Sequence, residues 1–115
     1  MRILIAAASL ALLAATGCHS AYIEATVKNS TGTAVSLVEV DYPNASFGRS
    51  TLAADADYHY RFKILGSGPT KVLWTDPTHH EHSVNGPPLH EGQEGKLTIT
   101  LTPSTATWDF APTRP

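Results

Sequence analysis

The sequence predicts an all-β protein whose strands form one antiparallel sandwich. After residue 20, apolar residues recur with period two rather than 3.6. Clusters of Gly, Pro, Asn and Asp interrupt the pattern at intervals of about 8–12 residues. The one stretch with helical propensity, residues 53–57, is too short for a stable helix and is expected to form a turn or a single helical turn.

Each predicted strand lies between two turn signals. The seven strands cover residues 22–28, 34–42, 47–52, 58–64, 70–75, 80–84 and 96–102. In the second strand the apolar positions change parity, which indicates a β-bulge or a strand buried on both faces. The fourth strand has four large apolar side chains on one face, so we expect it to lie at the centre of the core. Those side chains are Tyr58, Tyr60, Phe62 and Ile64.

The second half of the chain adds a predicted turn and a candidate edge strand. Asp76-Pro77-Thr78-His79 has the residue preferences of a type I turn between the fifth and sixth strands. The last strand, residues 96–102, is uncharged between Lys96 and Pro103. If it lies at a sheet edge, it could accept a strand from a partner protein.

Seven short strands at this spacing are typical of an immunoglobulin-like or fibronectin type III-like β-sandwich, with a small open barrel as the alternative. The disulfide-bridged antibody type is excluded because the chain has one cysteine. We assign residues 21–103 to the domain and residues 104–115 to a C-terminal tail. The tail contains Trp108 and Phe110, which either cap a seam of the sandwich or form an exposed motif for another protein.

The N-terminal residues predict export and a lipid anchor. Arg2 precedes an apolar run, Ile3 to Ala15, that is shorter than the about 20 residues needed to span a bilayer. The segment Ala15-Thr16-Gly17-Cys18 resembles a bacterial lipoprotein signal, which implies removal of residues 1–17. It also implies diacylglycerol and a fatty acyl chain on Cys18, with residues 18–20 as the lipidated N-terminus. The alternative is a secreted protein with a free thiol.

Charge and motifs limit the classes of function. The net charge is −2, and −3 without Arg2, and no basic patch appears, so nucleic acid is not an expected partner. The sequence has no Gly-x-Ser-x-Gly motif and no glycine-rich loop opening a helix. We therefore expect a protein that is not an enzyme and has no catalytic residues.

The histidines form a candidate divalent-metal site. His80 and His82 share one strand face, with Cα atoms about 6.6 Å apart at the usual strand rise. A third ligand could come from His59, His90 or Asp76. Imidazole ligands suit Zn²⁺, Ni²⁺ or Cu²⁺. The alternative is a polar, solvated hairpin end that binds no ligand.

Aromatic residues near predicted loops form a candidate surface for a protein partner. Rigid sandwiches commonly bind through aromatic side chains on loops. The same rings could instead close the ends of the core. The candidates are Tyr42, Phe47, Trp74, Trp108 and Phe110.

The mature chain is similar to small uncharacterised bacterial lipoproteins with a single immunoglobulin-like domain. The resemblance implies a lipid-anchored envelope protein facing the periplasm or the cell exterior. Because His19 rather than an aspartate follows Cys18, the outer membrane is favoured over the inner one. We expect a small binding or accessory module with an envelope protein partner; the alternative is a histidine-based metal-binding lipoprotein. The resemblance rests on Ala15-Thr16-Gly17-Cys18, Asn29-Ser30-Thr31-Gly32, Val38-Glu39-Val40-Asp41-Tyr42 and Tyr58-His59-Tyr60-Arg61-Phe62.

Overall fold

A computed structural model describes residues 21–113, which form eight strands and no helix. The expected signal peptide, 1–17, and Cys18 lie outside the described residues. Seven of the strands match the predicted ones to within a few residues, and the eighth was not predicted. The strands are β1 (Ile23–Asn29), β2 (Val35–Tyr42), β3 (Ala45–Leu52), β4 (Asp57–Phe62), β5 (Lys71–Thr75), β6 (Glu81–Asn85), β7 (Gly95–Leu101) and β8 (Ala106–Pro112).

The strands form two four-stranded sheets. Sheet 1 has the order β4-β1-β7-β8, and sheet 2 has the order β3-β2-β5-β6. Neighbouring strands are antiparallel except β1 and β7, which are parallel over seven residue pairs. In an immunoglobulin constant-type sandwich the first two strands share a sheet. The all-β prediction is confirmed. Because β1 and β2 lie in different sheets here, the strand order differs from the immunoglobulin order.

One hydrophobic core lies between the two sheets. Alternate residues of β1 and β7 in sheet 1 face alternate residues of β2 and β5 in sheet 2, as period-two patterns require. Ile23, Val27, Val72 and Ile99 are completely buried. Each such side chain stabilises the fold by about 1.5–3 kcal/mol through burial. Within residues 21–113 there is no helix long and apolar enough to cross a membrane.

The sheet edges differ from those expected. Strand β7 is hydrogen-bonded to β1 on one side and to β8 on the other, so it cannot accept a partner's strand. The edge position belongs to β8, which comes from the segment assigned to a tail. Strand β4 is also an edge rather than a central strand: its face buries Phe62 but leaves Tyr60 39% exposed.

The predicted irregularity in the second strand is a β-bulge. The pairing of β2 with β5 shifts register between Ser36 and Glu39, which confirms the bulge. Leu37 lies at the shift with φ of 51°, and its side chain is 67% exposed. A leucine with positive φ is uncommon because its Cβ crowds the backbone. The bulge therefore turns an apolar side chain out of the sandwich.

The sandwich has two ends. We call residues 18–20, which precede the domain in the sequence, the tether. The end that they lead into is the tether end, and the opposite end is the far end. The tether end is where β1 begins, beside the end of β4 and the start of β7. It is formed by the turn at 43–44 and the loops 63–70 and 86–94. The far end, where β1 finishes, is formed by residues 30–34, 53–56, 76–80 and 102–105.

Candidate functional site

Asp76 organises the loop between β5 and β6 at the far end. Its Oδ1 accepts hydrogen bonds from the Thr78 amide (2.8 Å), the Thr78 hydroxyl (2.6 Å) and the His80 amide (3.1 Å). Its Oδ2 lies 2.8 Å from His82 Nε2. The bond from the Thr78 hydroxyl, followed by the contact with His82, holds the pKa of Asp76 well below its usual range. Asp76 is therefore a charged carboxylate, and in this form it accepts the hydrogen bonds that fix the loop.

The predicted four-residue turn is present in this loop. The His79 amide donates to the Asp76 carbonyl at 3.0 Å, which closes the turn. His79 then adopts φ of 66°, and the Asp76 amide bonds the His80 carbonyl at 2.9 Å. The turn signal in the sequence thus located the hairpin correctly.

His82 packs between this loop and the core. Its ring stacks on Trp74, with centroids 5.0 Å apart and planes 13° from parallel. Trp74 itself is 1% exposed and belongs to the core. The Trp74 ring is therefore inaccessible to a protein partner, contrary to the expected role of that residue. Its position on β5, between β2 and β6, explains the burial.

The four candidate histidine ligands lie in three separate places. His80 and His82 are at the far end, and His90 is in a loop at the tether end. His59 is on sheet 1, where its Nδ1 lies 3.0 Å from the Thr26 hydroxyl. Among residues 21–113, no group of three or more His, Cys, Asp or Glu side chains is arranged to hold a metal ion. His80 Nδ1 and His82 Nε2 instead contact Thr78 and Asp76.

A row of aromatic rings in contact, the aromatic seam, joins the edge strands β3 and β4. Tyr42 stacks on Phe62 at a centroid distance of 4.1 Å, and Phe47 stacks on Tyr60 at 4.5 Å. Phe47 is buried, while burial raises the pKa of the half-buried Tyr42. Tyr60, which is 39% exposed, is the most accessible of these rings. The seam consists of Tyr42, Phe47, Tyr58, Tyr60 and Phe62.

Trp108 and Phe110 pack against the core from β8. Both rings are half-buried, and the Trp108 indole lies directly against Gly86, where a Cβ atom would collide with it. Gly86 follows β6, so the ring covers the side of the sandwich between β6 and β8. The structure thus supports the capping interpretation of the two rings rather than an exposed peptide motif.

Asn29 is a structural residue that the sequence did not single out. It is 1% exposed at the end of β1, and its amide donates to the carbonyls of Leu52 (3.0 Å), Ala53 (3.1 Å) and Thr33 (2.8 Å). Its side-chain oxygen accepts from the amide and the hydroxyl of Thr31. Asn29 therefore joins sheet 1 to the end of β3 in sheet 2. The sequence indicated a turn here but carried no signal for a buried amide.

At the tether end, the chain entering β1 is held in place. The Gly95 amide donates to the Tyr22 carbonyl at 3.3 Å, and the Arg61 guanidinium lies 4.0 Å from the centre of the Tyr22 ring. Arg61 also pairs with Glu24 at 3.1 Å, although both side chains are exposed, so this ion pair contributes little. These contacts fix Tyr22 against β4 and β7.

The neighbouring loop, 63–70, presents an apolar side chain. Leu65 is 62% exposed. The Gly66 amide donates to Glu91 Oε1 at 2.7 Å, and the Asn44 side-chain amide donates to the Leu65 carbonyl. Reciprocal backbone bonds join Gly68 to Leu89 at 2.9–3.0 Å. These contacts fix the loop while leaving the leucine in water.

Comparisons with known proteins support the fold and no particular activity. No protein-family model matches the sequence, and no curated protein matches it. A similar solved structure is the NMR structure of a protein from Eubacterium rectale, with a TM-score of 0.55 and 13% sequence identity. The similarity covers 85% of this chain and 94% of that chain. At this identity it shows a shared fold alone.

Proposed function

We propose that this protein is a lipid-anchored, non-catalytic module of the bacterial cell envelope that binds or supports a protein partner. The N-terminal sequence carries the proposal. An apolar run too short to span a bilayer leads to small residues and Cys18, and the β-sandwich begins at Ile23. Acylation of Cys18 would hold the domain at the membrane, since two or more lipid chains together give stable anchoring. The outer membrane, with the domain facing the periplasm or the cell exterior, remains the favoured location.

The aromatic seam is the surface that best supports a binding role. Tyr60 is exposed on an edge strand but stacked on the buried Phe47, so its ring is held in one orientation. Rigid aromatic rings contribute strongly to protein interfaces because little conformational entropy is lost on binding. The Arg49 guanidinium, 5.2 Å from the centre of the Tyr58 ring, adds a hydrogen-bond donor beside the seam. An envelope protein with an apolar and acidic surface would complement this arrangement.

Replacement of the cysteine tests the anchor. The Cys18→Ala variant should move from the membrane fraction to the soluble fraction and should lose labelling by a radioactive fatty acid. Ser20→Ala, two residues further on, is the matched control and should remain labelled and membrane-bound. Continued fatty-acid labelling of Cys18→Ala would refute lipid anchoring through this cysteine.

Site-specific photo-cross-linking tests the binding surface. A photoreactive amino acid at Tyr60 should give a discrete adduct in intact cells, because the ring is exposed within the seam. The same amino acid at Ser83, exposed on the outer face of sheet 2, is the control. Adducts of equal yield at both positions, or at neither, would contradict a partner at the seam.

A further inference from the structure

We propose that the tether end of the sandwich rests directly on the lipid surface and that Leu65 enters the boundary between headgroups and acyl chains. The inference rests on the proposed lipidation of Cys18. It adds an orientation of the domain and a second contact with the membrane, which an anchor on a flexible tether would not produce.

The tether between Cys18 and the domain is short. Three peptide units separate Cys18 from Ala21, and each extends the chain by at most about 3.6 Å, or about 11 Å in all. The next residue is already fixed, through the bond from Gly95 to the Tyr22 carbonyl and through the Arg61 contact. An acylated Cys18 lies at the membrane surface. The tether end must therefore lie within about 11 Å of the anchored cysteine, which is about two headgroup layers.

Leu65 lies at the same end of the sandwich as the tether. Its loop follows β4, whose last residue, Phe62, pairs with Ile23 at the start of β1. The loop and the tether thus emerge from the same end of sheet 1. Of the three large apolar side chains exposed in residues 21–113, Leu65 is the one in a loop at this end.

The loop that carries Leu65 is held in one conformation by hydrogen bonds. Bonds from Gly66 to Glu91, from Asn44 to Leu65 and between Gly68 and Leu89 fix its backbone. Little conformational freedom is then lost when the leucine leaves water. One leucine binds lipid weakly, but the anchor makes its insertion intramolecular and so raises the effective concentration of lipid.

Charge contributes little to this contact. Lys63 is exposed two residues before Leu65 and would favour anionic headgroups. Glu91, whose carboxylate holds the Gly66 amide, lies at the same end and opposes that attraction. The contact is therefore mainly apolar, and it should depend only weakly on salt and on the proportion of anionic lipid.

Leu37 provides a matched control. It is about as exposed as Leu65 but lies in the bulge of β2. The neighbouring Ser36 pairs with Thr75, the last residue of β5 before the hairpin loop, which places Leu37 at the far end. The two leucines therefore differ in their end of the sandwich rather than in exposure. Because acylation blocks the Cys18 thiol, a cysteine placed at either position would be the only free thiol of the lipidated protein.

The experiment uses the full lipidated chain in vesicles of phosphatidylethanolamine and phosphatidylglycerol. Leu65→Cys and Leu37→Cys are each labelled with an environment-sensitive fluorophore, and nitroxide lipids serve as quenchers. We expect the label at 65 to brighten severalfold, to shift to the blue and to be quenched, while the label at 37 behaves as in water. A melting curve for each variant checks the fold.

The possible outcomes separate this inference from the proposed function. If the protein floats with the vesicles but both labels remain in water, the docking is refuted and the anchor stands. If both labels are quenched equally, the sandwich lies on its side and the proposed orientation is wrong. If the protein does not float with the vesicles, the lipid anchor is refuted and the docking with it.

Discussion

The two ends of the sandwich are stabilised in different ways. At the far end, the side chains of Asn29 and Asp76 hold the loops through nine hydrogen bonds. At the tether end, five side chains contribute one hydrogen bond each beside the backbone bonds between the loops, and Leu65 remains exposed. These side chains belong to Asn44, Ser67, Thr70, Glu91 and Gln93. The far end thus depends on two polar side chains that make several bonds each, whereas the tether end distributes its bonds over many residues and keeps an apolar side chain exposed.

Two asparagines make the same comparison at the level of one residue type. Asn29 at the far end is buried and joins two sheets, while Asn44 at the tether end is exposed and bonds one loop carbonyl. A buried amide without a partner is costly, whereas an exposed one can turn to water. The far end should therefore be the more sensitive to substitution.

Removing β8 should have the largest effect, because this strand connects the two ends. Deleting residues 104–115 leaves β7 unpaired on one side and removes the half-buried Trp108 and Phe110. We expect a loss above about 4 kcal/mol, which approaches the whole stability of a small domain. Circular dichroism and thermal melting would measure it.

Deleting only residues 114–115 is the control for that truncation, because these residues follow the last strand. It should melt like the full chain. A cooperative melt of the longer truncation within a few degrees of the full chain would show that β8 is dispensable.

Replacing Asn29 should have the next largest effect. Asn29→Ala leaves the carbonyls of Leu52 and Ala53 without their side-chain donor. At about 1–3 kcal/mol for each unsatisfied buried group, we expect a loss of about 2–4 kcal/mol. For a domain of this size that corresponds to a Tm lower by about 10–20 °C.

Asn44→Gly is the matched substitution at the tether end. Asn44 has φ of 69°, which glycine adopts without strain, so the change removes the side chain without distorting the backbone. We expect a loss under about 1 kcal/mol because the amide is exposed. Equal losses for the two asparagines would contradict the contrast between the ends.

Lowering the pH should destabilise the far end by protonating Asp76. We expect this effect to be smaller than those of removing β8 or replacing Asn29. The pKa of Asp76 is lowered in the folded state, so its contribution is complete above the ordinary carboxyl pKa of about 3.9 and is lost as pH falls below it. Asp76→Asn should therefore lower the Tm slightly at pH 5, and the deficit should shrink towards pH 2. Asp109→Asn, exposed on β8, corrects for the loss of one negative charge. A deficit independent of pH would refute the role of the charge.

The sequence predicted local features well because they depend on near neighbours. Alternation in β1 and the sequence of the Asp76 turn depend on adjacent residues, and both were located correctly. The parity change in β2 predicted the bulge for the same reason. Each of these signals describes how the chain bends or which side chains share a face.

The sequence did not predict which strands are neighbours, because alternation carries no information about them. The last predicted strand is interior because β8 covers it, and Trp74 is buried because β5 lies between two strands. Strand β8 did have a period-two signal, with Ala106, Trp108 and Phe110 facing the core, but its proline-rich and threonine-rich surroundings resembled a tail. The placing of the histidines and the burial of Asn29 likewise depend on contacts distant in sequence.

The parallel pairing of β1 with β7 has a consequence for the order of folding. Ile23 pairs with Gly95, so the about seventy residues between them must be present before β7 can pair with β1 and complete sheet 1. Such non-local pairing is slow, since the entropy of closing a long loop is lost before any contact compensates for it. A chain synthesised from its N-terminus would leave β1 with one open edge until its C-terminal strands emerge, and during that interval it would be most exposed to aggregation and proteolysis.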